Sequence, residues 1–351
     1  MRFQVKVKHI KNFIIAIPIA MIMWMLFGFN TNNVDMINYE RRFYYGTTEF
    51  AESGFNAIIN ICKYFGVSSY QGFLEVLSLF LIVTIFFCTL KFTDNAISAL
   101  LLFCLYPFVL FCIEVRFSIA FCTVLIAILI LLKDSKYSIP IFIALVLLAT
   151  MFHSSSLLYL ILIFHKVKIN HKNKLYIMIA AAVLGIVVTY TPLALYFASW
   201  VSGGSDKITQ WFTRRGRFGM AIPIIQQLVS FIIFKYANQL RKKLKIETSL
   251  NADVLYDLNI LMFILVPCYF INNTFFRLYR IIIFVNTLFF SEIIYNKSND
   301  NHWKVTKLGM LNTFQILFLS FYEIFSRPNV WMPIFQDNLL IEKISEYFCI
   351  F

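Results

Sequence analysis

The sequence predicts an all-α polytopic integral membrane protein with about eleven spans. Three observations carry that prediction. Of 351 residues, 60% are hydrophobic and only 14% are charged, where a soluble domain carries roughly a quarter charged. Mean hydropathy is +0.74. Several apolar runs approach or pass the ~18 residues that take a helix across a hydrocarbon core. Backbone groups in lipid must pair within their own segment, which favours helices, and the alternation of a membrane barrel is absent.

The runs lie at approximately 12–29, 73–90, 96–113, 116–132, 138–151, 154–164, 175–198, 219–236, 254–271, 279–295 and 307–325. The first lacks a small-residue cleavage site and reads as a retained span rather than a removed signal peptide. Run 96–132 is about two spans long; Glu114 and Arg116 near its middle mark a hairpin at a membrane face. Run 138–164 reads as one long span or as two short ones divided at His153-Ser154-Ser155-Ser156, and the division keeps the later charges in register. The whole chain, 1–351, reads as a single transmembrane domain. Its largest outer segments are 30–72, an external loop with an interfacial helix in GFNAIINICKYFG, 199–218, an external basic loop, and 326–351. The last ends in NLLIEKISEYFCIF, an amphipathic helix suited to a membrane surface.

Orientation follows from the basic residues. With the N-terminus in the cytoplasm, segments 1–11, 91–95, 133–137, 165–174, 235–253 and 296–307 hold about 19 Lys and Arg, and the longer outer segments about 12. Nearly all the inside cations are Lys. Nine of the eleven Arg fall outside: Arg41, Arg42, Arg116, Arg214, Arg215, Arg217, Arg277, Arg280 and Arg327. Lysine inside is a topology signal. Arginine outside works against it, and a guanidinium binds phosphate through paired hydrogen bonds, so the group points to a shared anionic ligand on the outer face. Ordinary loop chemistry and snorkelling account for a single Arg equally well. The net charge of +13 resides in short loops without a nucleic-acid motif, which excludes nucleic acid as the partner. Seven cysteines form no CxxC pair or His/Cys cluster, and no carboxylate cluster appears, so no disulfide frame, metal or cofactor is expected.

The candidates for chemistry stand in the polar breaks. Segment 30–72 carries Asp35, Tyr39, Glu40, Arg41, Arg42, Glu49 and Glu52 among aromatics that offer faces to sugar rings. Glu52, two residues before Gly54, lies near a helix start, where the dipole favours a carboxylate; it equally suits a base or a sugar-hydroxyl acceptor. Arg116 opens a span, and an ionisable residue there is retained for a partner or a ligand, an Arg–Glu pair with Glu114 being the plainer account. His153 suits either a hydrogen-bonded interface position or proton transfer. Ser154, Ser155 and Ser156 suit helix capping, and no GxSxG elbow supports a Ser-His hydrolase. Arg277 and Arg280 in NNTFFRLYR share a helix face. Arg214, Arg215 and Arg217 sit among glycines in a loop fit for a bulky charged ligand, or simply for solvent.

The ordered pattern Asp35-x3-Tyr39-x3-Phe43, Glu52-Ser53-Gly54-Phe55, Arg116-x2-Ile119-Ala120 and Phe152-His153-Ser154-Ser155-Ser156-Leu157, followed by Arg277 and Arg280, resembles the EpsG/Wzy-type polysaccharide polymerases. Order and spacing match over about 35–165 and more weakly to the end. The chain departs from the family at Ser53, where Pro is frequent, and at Asn33-Val34-Asp35, where the family has Gly-Thr-Asp. The resemblance implies a GT-C-like multi-span bundle in the bacterial cytoplasmic membrane. It implies a metal-independent glycosyltransferase, acting on the periplasmic or extracellular face, that joins undecaprenyl-pyrophosphate-linked repeat units into an O-antigen or capsule type of glycan. Donor and acceptor would both be lipid-linked, and a chain-length regulator is an expected protein partner. Arg116, Arg277, Arg280, Asp35, Tyr39, Arg214, Arg215 and Arg217 would bind pyrophosphate or glycan. Glu52 or His153 would be the base, and the residues do not choose between them. The alternatives are an O-antigen-type ligase, a lipid-linked oligosaccharide flippase and a membrane acyltransferase.

Overall fold

The apolar runs fold as helices, and the polar breaks end them. The computed structural model describes residues 7–46, 53–133, 135–193, 196, 220–295 and 302–348. Among these, regular structure is helical apart from one isolated antiparallel bridge, Asn30 to Asn338. Six helices among the described residues are long and apolar enough to cross a membrane: Tyr70–Phe92, His171–Thr189, Ala221–Leu244, Ala252–Ile271, Asn273–Tyr295 and Trp303–Phe325. Shorter apolar helices occupy Phe13–Gly28, Ala96–Leu105, Val115–Leu131, Ser138–Thr150 and Ser154–Lys166. The chain is a multi-pass membrane protein. It forms two compact units: Met1–Leu158 with Ile246–Leu250 and Thr287–Phe351, and Tyr159–Lys245 with Asn251–Asn286.

In the first unit α1 (Val7–Gly28) packs on α4 (Tyr70–Phe92), with the short helices α2 (Met36–Tyr45) and α3 (Ser53–Tyr64) between them in sequence. Trp24 Nε1 donates to the Glu75 carbonyl at 3.0 Å, and Ser69 caps α4 by accepting from Gly72 N. The run 96–113 is not one continuous helix. It divides into α5 (Ala96–Leu105) and α6 (Phe108–Ile113) because Pro107 has no N–H to donate, and Tyr106 before it is extended. Glu114 alone separates α6 from α7 (Val115–Leu131), so the expected break falls where the charges are. Phe103, Phe111 and Phe121 fill the junction, with ring centres 4.7 to 6.4 Å apart. Helix α8 (Ser138–Thr150) returns along α7, and a 3-10 helix (Ser154–Lys166) follows, dividing the run 138–164 at His153.

The C-terminal segment is tied to the end of α1. Asn338 Nδ2 donates to the Met25 and Leu26 carbonyls at the end of the helix, where Met25 also accepts from the Phe29 N–H. Thr31 donates from N and Oγ1 to the Asp337 carbonyl at 2.8 and 2.7 Å. Asn30 in turn holds Asn33, whose Oδ1 accepts from the Asp35 N–H.

The second unit contains α9 (His171–Thr189), α10 (Ala221–Leu244), α11 (Ala252–Leu261), α12 (Val266–Ile271), a 3-10 turn (Asn273–Tyr279) and the first part of α13 (Arg280–Tyr295). Part of the Lys-rich segment 235–253, expected to be a loop, continues α10 to Leu244. Gln, Leu, Arg and Lys are good helix formers, and Arg241, Lys242 and Lys243 complement the C-terminal dipole. A 3-10 turn (Met262–Leu265) precedes Pro267, which cannot continue an α-helical bond. Lys174 is buried and paired: its ammonium donates to the Asp257 carboxylate and the His165 carbonyl, and His171 Nδ1 lies 2.6 Å from the other Asp257 oxygen.

Helix α9 crosses Pro267 at Gly185. A Cβ there would stand 2.5 Å from Pro267 Cγ and 3.0 Å from its Cβ, atoms of a rigid ring. Gly185→Ala is expected to lower thermal stability by up to about 2 kcal/mol in a detergent melt, an overpacking cost of about 1–3 kcal/mol outweighing the ~1 kcal/mol gained by replacing a helical glycine. Gly309→Ala is the control. Its new Cβ meets Ile294 at an ordinary 3.5 Å, so that variant should melt at or above wild type.

Candidate functional site

The first unit gathers Asp35, Tyr39, Glu114, Arg116 and His153. Tyr39 and Phe43, four residues apart in α2, are both buried on one face of that helix. The Tyr39 ring meets Phe55 of α3 edge-on at 5.8 Å, and Phe43 packs on Phe73 of α4 at 5.6 Å. Lys63 of α3 donates to the Phe43 carbonyl and stands 4.6 Å from its ring centre. These contacts lock α2 and α3 onto the start of α4.

Gly54, in the first turn of α3, is seated on the end of α8. Its N–H donates to the Met151 carbonyl at 3.1 Å, and a Cβ would come within 2.8 Å of Met151 and 2.9 Å of Phe152. Only glycine permits that approach, and it brings the start of α3 against the residues that lead to His153. The His153 imidazole is half-buried, with Nδ1 2.7 Å from Ser155 Oγ and its ring edge-on to Phe117 at 5.5 Å. Phe117 follows Arg116 on α7, so the imidazole packs on the first turn of the helix that carries the guanidinium.

Arg116 is half-buried in the first turn of α7, where a helix dipole disfavours a cation. Glu114 ends α6 as well as starting α7, so the two helix termini act on its carboxylate in opposite senses, and the dipole of α7 does not explain Arg116. The guanidinium hydrogen-bonds the Tyr39 hydroxyl, and its Cζ lies 5.8 Å from that ring's centre. Burial pushes the Tyr39 phenol above the ordinary tyrosine value; Arg116 opposes the rise, and the carboxylates of Asp35 and Glu114 add to it. Tyr39 thus stays a neutral phenol that accepts from Arg116 and fixes it. A guanidinium held by Tyr39 near two carboxylates can neutralise a departing phosphate, and an imidazole such as that of His153 can accept a proton.

The second unit brings Arg277 and Arg280 together. They fall in the 3-10 turn Asn273–Tyr279 and at its C-cap, and residues three apart in that geometry eclipse one another. Both guanidinium groups act electrostatically on the Tyr159 phenol, whose hydroxyl donates to the Leu278 carbonyl between them at 2.6 Å. Asn272 Oδ1 caps the turn by accepting from Thr274. Glu52, Arg214, Arg215 and Arg217 lie outside the described residues.

The sequence reading did not anticipate a buried polar seam in this second unit. Asn259 and Asn286 exchange two hydrogen bonds of 2.9 Å, Tyr279 donates to Asn259, Asn286 donates to Ser230, and Tyr269 donates to Gln227. Its signal was single amides inside apolar runs, where they are costly unless paired.

No curated protein and no solved structure matches the chain. The EpsG family model matches residues 13–338, a range that includes every site residue named above. The chain therefore belongs to the EpsG family, whose members are associated with polysaccharide-polymerase-type glycosyl transfer.

Proposed function

We propose that this protein is a polymerase that joins undecaprenyl-pyrophosphate-linked oligosaccharide repeat units into a surface polysaccharide. The observation that carries the reading is the cluster Asp35, Tyr39, Arg116 and His153, in which a cation stands where helix electrostatics disfavour it. In this reading about eleven helices span the bacterial cytoplasmic membrane as one domain, with the cluster on the outer face.

A hydroxyl of the acceptor repeat attacks the anomeric carbon of the donor glycan. The new glycosidic C–O bond forms as the bond to undecaprenyl pyrophosphate breaks. The hydroxyl proton passes to Glu52 or to His153; with Ser155 on Nδ1, His153 takes it at Nε2. Arg116, held by Tyr39, stabilises the charge that develops on the leaving pyrophosphate. Asp35 and Tyr39 line the glycan path. Arg277, Arg280, Arg214, Arg215 and Arg217 bind pyrophosphate or glycan. A chain-length regulator completes the set of partners.

Lipid-linked glycans from a deletion strain test this. The expected result is single repeat units transferred to the surface, with long chains absent. Accumulation of long lipid-linked chains would make the protein a ligase, and retention of single units on the cytoplasmic side would make it a flippase.

A further inference from the structure

A groove in the second unit opens where the 3-10 helix Ser154–Lys166 ends and α9 begins. Ile161 and Phe164 line it from the first, Val167 and Ile169 from the connection, and Ile177 and Met178 from α9. Lys174 is its one polar lining residue. That ammonium is already satisfied by Asp257 and the His165 carbonyl, so the groove offers no unpaired polar group to a sugar. At about 200 Å³ it is smaller than the roughly 300–1,000 Å³ of sites that enclose small molecules. Phe164 and Ile177 remain 55% and 53% exposed, so the groove faces the medium around the helix bundle.

Three further lysines alternate with or adjoin, in sequence, the residues that line it. Lys166, Lys168 and Lys172 are exposed: Lys166 ends the 3-10 helix, Lys168 lies in the connection, and Lys172 is in the first turn of α9, at the end of the candidate span His171–Thr189. Ile177 and Met178 lie about 8–9 Å beyond Lys172 along α9 at ~1.5 Å per residue. Cations at headgroup level above an apolar slot are the two parts of an anionic amphiphile's complement. We propose that this groove holds one acyl chain of an anionic glycerophospholipid of the surrounding bilayer, with its phosphate at Lys166, Lys168 and Lys172. The site is separate from the residues assigned to glycosyl transfer and does not depend on that assignment.

Native mass spectrometry of the purified full chain, titrated with dioleoylphosphatidylglycerol or dioleoylphosphatidylcholine, tests it. The wild type should hold phosphatidylglycerol more tightly. At about 5-fold per lysine, the triple variant Lys166→Gln/Lys168→Gln/Lys172→Gln should weaken phosphatidylglycerol on the order of 100-fold and leave phosphatidylcholine unchanged. Ile177→Trp, which fills the slot, should weaken both. Equal affinity of the wild type for the two lipids, undiminished phosphatidylglycerol binding by the triple variant, or no effect of Ile177→Trp would each overturn the proposal. So would displacement of phosphatidylglycerol by a lower concentration of a polyprenyl phosphate, which would assign the groove to the substrate's lipid tail.

Discussion

Purified His153→Asn or Glu52→Gln protein is expected to bind a synthetic lipid-linked repeat yet form glycan chains about 10²–10⁴-fold more slowly, whichever of the two is the base. The attacking sugar hydroxyl is a poor nucleophile until its proton has somewhere to go. The His153 imidazole is poised by Ser155 on one nitrogen and by the Phe117 ring on its edge. Asparagine keeps approximate size and some hydrogen bonding but cannot take up the proton. Glutamine does the same for Glu52. The base variant should recover part of its rate as the pH is raised, because solvent then removes the proton more readily. A residue needed only for structure should lower yield and melting temperature without that pH response. Near wild-type rates for both variants would exclude both, leaving water or Asp35 as the acceptor.

Arg116→Ala should lower the rate by about 10²–10³-fold, the loss seen when a transition-state charge loses a preorganised donor. It should also lower stability, because Tyr39 is only 5% exposed and its hydroxyl would lose the Arg116 partner, at a cost of about 1–3 kcal/mol. The two effects separate in a second variant. Arg116→Ala/Tyr39→Phe removes the orphaned hydroxyl and should regain much of the melting temperature while remaining inactive. Tyr39→Phe alone should retain most activity, since it loosens the guanidinium without removing it. Arg116→Lys keeps a cation but not the planar fork and should fall between. Full activity of Arg116→Ala would end the pyrophosphate assignment.

What the sequence made legible follows from what a bilayer demands. A span must be helical and continuously apolar, so runs such as 73–90 could be read directly; the helix starts set by side-chain caps at Ser69, Asn170 and Asn251 lie a few residues before the apolar runs and were not read. The break at Glu114 was visible because two charges interrupt a long apolar run. The break at Pro107 was overlooked, since proline is apolar on a hydropathy scale and shows itself only through its missing N–H. The hold of Tyr39 on Arg116 was not readable, because 77 residues of chain separate two groups that tertiary packing brings together. The same holds for Asn259 and Asn286, each of which looks like an isolated flaw in its own helix until the other is beside it.

The tie between the end of α1 and the C-terminal segment sets an order in time. Thr31 and Asp337 are 306 residues apart, and a ribosome adding about 5–20 residues per second needs roughly 15–60 s to make the second after the first. Until then the Met25 and Leu26 carbonyls lack their Asn338 donor, and Asn30, which holds Asn33 and through it the Asp35 N–H, lacks its bridge. The loop that carries Asp35 is therefore synthesised well before the segment that finishes it. A chain that has not yet reached Asn338 has this corner of the cluster unfixed while its earlier helices insert.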